Sequence, residues 1–118
     1  MRQDERASLI QEAVLSVLSH HIGIHNGVTA EDIVSEIKAG GEYSLTKRRL
    51  RAIVTAFRLE GHHICADPLH GYFMAANDDE LDQTCEFLHA RAMKTLTQIS
   101  KMKNIALPDL RGQLKLPT

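Results

Sequence analysis

Hydrophobic residues near the start of the chain recur every three or four positions: Leu9, Ile10, Ala13, Val14, Val17 and Leu18. This spacing predicts a helix over residues 4–19 with one continuous apolar stripe. Gly23 and Gly27 interrupt it. Thr29 then stands before Ala-Glu-Asp, an N-cap with an acid at the third helical position. Ile33, Val34 and Ile37 form the inner face of a short second helix that Gly40 and Gly41 end. A third helix is predicted over about residues 45–60, capped by Ser44 or Thr46. Its apolar positions are Leu50, Ile53, Val54 and Phe57. Lys47, Arg48, Arg51, Thr55 and Arg58 fall on the other side at 3.6 residues per turn. Gly61 suits a left-handed stop.

The period then changes from helical to alternating. His63 to Ala66 and Tyr72 to Ala75 read as two short strands around Asp67-Pro68-Leu69-His70-Gly71, which has strong turn chemistry. Alternation puts Ile64 and Ala66 on one face and His63 and Cys65 on the other. Asn77-Asp78-Asp79-Glu80 opens a last helix. No Pro or Gly follows until after Lys103. Its acids cluster early and its bases late, as the helix dipole favours. At ~1.5 Å per residue its length is close to 40 Å, more than a compact domain of this size needs. Residues 104–118 contain two prolines, a glycine and the leucines Leu107, Leu110, Leu114 and Leu116, and read as a tail, either frayed or a docking segment. The expected fold class is therefore mainly α with a small β-hairpin.

Composition narrows this. A length of 118 residues fits one domain, or one small domain with an appendage. Aromatics are scarce, so the core must be aliphatic. There is no run of 18 apolar residues and no signal-like h-region, so a cytoplasmic protein with no membrane contact is expected. In that compartment Cys65 and Cys85 should be reduced thiols.

Charge changes the picture more. The formal net charge is −1, but residues 1–43 carry three Lys/Arg against seven Asp/Glu. Residues 44–77 carry five against two, and 78–118 carry six against six. All five cations of the middle segment lie between Lys47 and Arg58, so the near-neutral total hides one concentrated basic element.

The order helix, helix, basic helix, hairpin, long helix resembles a winged helix-turn-helix DNA-binding domain of bacterial or phage type with an added C-terminal helix. Ser44–Ala76 carries the resemblance, in TKRRLRAIVTAFRLEG followed by HHICADPLHGYFMA. It extends over about residues 5–76, and AGGEYS lengthens the usual tight turn between the second and third helices. The resemblance implies domains at 1–76, 77–103 and 104–118. It implies sequence-specific binding of double-stranded DNA in transcription or replication control. The recognition helix 45–60 would enter the major groove, and the wing 62–76 would lie on the backbone. Lys47, Arg48, Arg51 and Thr55 would face the groove, Arg58 a phosphate, and His62 and His70 phosphates from the wing, better when charged. Arg49, about 100° round from Arg48, stays ambiguous. The alternative is a protein-interaction adaptor on the same fold, such as a phage-encoded modulator of a host protein.

Two further sets stand out. Leu88, Ala92, Leu96, Ile99 and Met102 mix three- and four-residue steps and could join two copies through the last helix, a homodimer being suited to paired half-sites. His63 and Cys65 with Cys85 and His89 are the set a zinc ion would need. The strong C-x-x-C spacing is absent, so neither a metal nor another cofactor is assigned. No P-loop or nucleophile-elbow motif is present, and no enzymatic activity is expected.

Overall fold

The computed structural model describes residues 3–41 and 44–107. The fold is mainly helical with one two-stranded antiparallel hairpin and a long C-terminal helix. In chain order the elements are α1 (Gln3–Leu18), a 3₁₀ turn (Ile24–Asn26), α2 (Ala30–Ala39), α3 (Lys47–Leu59), β1 (Ile64–Asp67), β2 (Gly71–Met74) and α4 (Asp78–Lys103). Two compact units divide the chain at Thr84–Cys85, inside α4.

In the first unit, local chemistry sets the helix starts. Thr29 Oγ1 accepts the Asp32 N–H at 3.1 Å and opens α2. Thr46, rather than Ser44, does the same for α3 by accepting from Arg49 N. Gly61 ends α3 with φ +98°, a conformation that costs any residue with a Cβ. Asn77 Oδ1 accepts the Glu80 N–H at 2.9 Å and opens α4. The reciprocal bond of a capping box is not made, because Glu80 turns elsewhere. Its Oε1 accepts from Ala76 N at 2.9 Å and its Oε2 from Ile24 N at 3.1 Å. One carboxylate thus ties the start of α4 to the loop after α1. These two backbone donors, first Ala76 and then Ile24, hold its pKa below the ordinary value.

The predicted apolar stripes meet in one aliphatic core. Ile10, Val14 and Leu18 of α1 pack with Ile33 and Ile37 of α2, with Leu50, Ile53, Val54 and Phe57 of α3, and with Val28, Leu45 and Ile64. Each fully buried Leu, Ile or Val contributes roughly 1.5–3 kcal/mol relative to exposure.

The hairpin begins and ends one residue away from the expected limits. Asp67 pairs with Gly71 and closes the turn, so the strands run 64–67 and 71–74. Asp67 Oδ1 accepts from Leu69 N at 3.1 Å, an Asx turn. Ile64 and Cys65 are both buried although successive strand residues point to opposite faces, so both sides of β1 are covered here. Ile64 joins the aliphatic core, while Cys65 Sγ donates to the Glu80 carbonyl at 3.6 Å. The first turns of α4 cover the face that a free hairpin would leave in water.

On its other edge β2 meets the segment between α1 and α2. Val28 and Tyr72 exchange two backbone hydrogen bonds of 2.8 Å, and Ile22 forms a parallel bridge to Met74. The approach is close enough to exclude side chains. A Cβ on Gly71, whose φ is +80°, would strike the Val28 carbonyl, and one on Gly27 would strike the His70 carbonyl.

In the second unit the rest of α4 carries no buried residue among those described. Arg91 lies over the Phe87 ring at 5.9 Å. Asn104, at φ 57°, stops the helix, and Ile105 N–H donates back to the Ser100 carbonyl at 3.1 Å. The tail is described as far as Leu107, so Leu110, Leu114 and Leu116 lie outside the described residues.

Candidate nucleic-acid interface

α3 has two faces of opposite character. Leu50, Ile53, Val54 and Phe57 are buried, whereas Lys47, Arg48, Arg49, Arg51, Ala52, Thr55 and Ala56 are exposed. Burial of the first set fixes the rotation of the helix, and rotation alone sends the second set to the surface.

The individual side chains are not equivalent. Lys47 Nζ pairs with Glu31 Oε1 of α2 at 2.7 Å, both groups being exposed. The hydrogen bond and charge of Lys47 lower the Glu31 pKa. Among the described residues no ion pair takes Arg48, Arg49 or Arg51. Thr55 Oγ1 donates to the Arg51 carbonyl at 3.0 Å, so its hydroxyl hydrogen is already engaged within the helix.

Arg58 goes inward. Its Nε donates to the Ile64 carbonyl at 2.8 Å, and its Nη2 is enclosed with no hydrogen-bond partner among the described residues. The guanidinium fastens the end of α3 to β1, a use for Arg that helical spacing does not reveal.

The comparisons with known proteins add no family to this geometry: no family model, curated protein or solved structure matches the chain.

The hairpin holds no Lys or Arg between Gly61 and Asn77. His70 Nδ1 donates to Asp67 Oδ2 at 2.5 Å, and its ring meets His25 edge-on at 6.0 Å. The Leu69 N–H and then His70 lower the Asp67 pKa. At neutral pH the fixed charge of this turn is therefore negative. His62 packs edge-on against Phe57, with ring centroids 5.2 Å apart, and stands 3.8 Å from Glu60. Leu69 at the tip is exposed.

The residues of the zinc set are placed differently from one another. Cys65 is buried, Cys85 is exposed, and His63 and His89 are exposed. Among the described residues no group of three or more His, Cys, Asp or Glu is arranged to hold a metal ion. Among them, too, no helix is long and apolar enough to cross a membrane.

Of the proposed joining face, Leu88 and Met102 are exposed, as is Ala92, while Leu96 and Ile99 are half-buried. Sequence reasoning passed over Ala52 and the Glu31 partner of Lys47. Helical rotation would have found Ala52, but only the packing of α2 against α3 brings Glu31 to Lys47.

Proposed function

We propose that this chain is a non-catalytic, sequence-specific double-stranded DNA-binding protein acting in transcription or replication control, with α3 as its major-groove element. The observation that carries the reading is the exposed face of α3. Arg48 and Arg51 stand there without an ion-pair partner among the described residues, turned away from the buried apolar face. An α-helix fits the major groove, and Arg is the side chain best matched to the O6 and N7 acceptors of guanine. The Val28–Tyr72 bridge ties the hairpin to the segment before α2, which holds the hairpin in place beside the helices.

The contact set narrows from the sequence expectation. Lys47, Arg48 and Arg51 make up the basic face with Thr55 between them, and Arg49 flanks it. Arg58 is engaged with Ile64 and His70 with Asp67, and His62 stands 3.8 Å from Glu60, so the α3 cations carry the contact. Two copies join through α4 at Leu88, Ala92, Leu96, Ile99 and Met102, so that the DNA site has paired halves.

Selection from random duplexes at fixed salt, followed by anisotropy titration, tests the reading. Nanomolar to micromolar binding with a falling affinity at higher salt is expected. No binding at about 50 mM salt, together with capture of a protein partner, would favour the adaptor function instead.

A further inference from the structure

We infer that Ala52 and Thr55 read the 5-methyl group of thymine in the major groove; the inference rests on the DNA-binding reading of α3. The middle of the exposed face is made of short side chains. Ala52, Thr55 and Ala56 are all exposed, and the line continues to Leu59, which is 85 % exposed. The long cations Lys47, Arg48, Arg49 and Arg51 stand at the N-terminal end of the helix. Short side chains have a consequence for docking, because they let the helix axis approach the groove floor, where base edges lie.

Chemistry then separates what this centre can recognise. Ala52 offers a methyl group and nothing polar. The Thr55 hydroxyl hydrogen is donated to the Arg51 carbonyl at 3.0 Å, so Thr55 cannot donate it to a base without breaking that bond. What remains is an oxygen lone pair and a second methyl group. Residues 52 and 55 are i and i+3, neighbours on the helix surface. The two methyls therefore form one small apolar patch. Among base edges in the major groove, thymine alone of the four standard bases presents a methyl. Arg48 and Arg51 lie one turn N-terminal to Ala52 and Thr55 respectively, and their guanidiniums suit guanine. The recognised element is thus a thymine next to a guanine.

The test uses the full-length protein and the best duplex selected from a random pool. Each thymine is replaced in turn by deoxyuridine, which removes the methyl and keeps every pairing atom. Replacement at one or two thymines adjacent to a guanine should weaken binding about fourfold, the effect of one lost buried methyl. Thr55→Ser keeps the hydroxyl and removes the methyl, so it should abolish the penalty at one of these positions. Thr55→Val keeps a methyl there and should retain it. Circular dichroism melting checks that both variants fold.

Equal affinity for every deoxyuridine duplex would overturn the inference and leave DNA binding intact. An unchanged penalty in Thr55→Ser would overturn it too, as would binding of the pool without enrichment of any sequence. Failure to bind any duplex would overturn the DNA-binding reading and this inference together.

Discussion

Arg51 and Arg58 sit two turns apart on one helix, yet their surroundings assign them opposite work. Arg51 is exposed and Arg58 donates to the Ile64 carbonyl. Arg58→Ala should therefore destabilise the protein by about 1–2 kcal/mol in urea unfolding, because it orphans a carbonyl in a partly buried strand. Arg48→Ala and Arg51→Ala should leave stability within about 0.5 kcal/mol. Each should weaken DNA binding by about 1–3 kcal/mol in an anisotropy titration if its guanidinium meets a guanine. Equal loss of stability in all three variants would contradict this division. Two positive-φ glycines, Gly61 between α3 and β1 and Gly71 at the start of β2, differ in the same way. A Cβ at Gly61 meets nothing within 4 Å, whereas one at Gly71 strikes the Val28 carbonyl. Gly61→Ala should cost about 1 kcal/mol and Gly71→Ala distinctly more, read as the difference in midpoint denaturant concentration.

The start of α4 depends on a carboxylate that bridges two elements. Glu80 accepts backbone N–H groups from Ala76 and from Ile24, which hold its pKa below the ordinary 4.5. The unfolded chain lacks these bonds and keeps the ordinary value. The ionised form is therefore favoured by folding, and the stability it contributes is complete above the unfolded pKa. That contribution is lost as the pH falls from about 4.5 through the lower folded value. Glu80→Gln should flatten this part of the acid-unfolding curve. A variant whose stability fell as steeply with acid as the parent would show that other carboxylates carry the dependence. Asp67 shifts in the same direction, so some acid sensitivity should persist in Glu80→Gln.

For the whole chain, charge is placed rather than abundant. The net charge of −1 conceals an α3 whose N-terminal end carries Lys47, Arg48, Arg49 and Arg51, and a hairpin whose turn is acidic. Few phosphates can be neutralised per copy. The slope of log affinity against log salt should be shallow, about −2 to −4 per copy if two to four cations each meet a phosphate. The α4 residues that would join two copies include Met102 at 78 % exposure. Light scattering at tens of micromolar should give the mass of a dimer, and a monomer there would remove the α4 pairing from the proposal.

Periodicity in the chain was enough to find four helices, the hairpin and the helical part of the core, because helix and strand patterns are local; the buried Val28, Leu45 and Phe73 lie outside the helical stripes and were not found. Leu50, Ile53, Val54 and Phe57 could be assigned inward, and Arg48 and Arg51 outward, from rotation at 3.6 residues per turn. Contacts between segments distant in sequence were not legible in this way. Glu31 meets Lys47 across 16 residues, Glu80 reaches Ile24 across 56, and β2 lies against the segment around Val28. The inward turn of Arg58 is closer in sequence, but it depends on the α3–β1 corner. The coverage of Cys65 depends on α4 returning over β1. The sequence therefore settled which face of α3 would be basic. Tertiary structure decided which of its cations stay available, because a side chain's partner is set by where the rest of the chain returns.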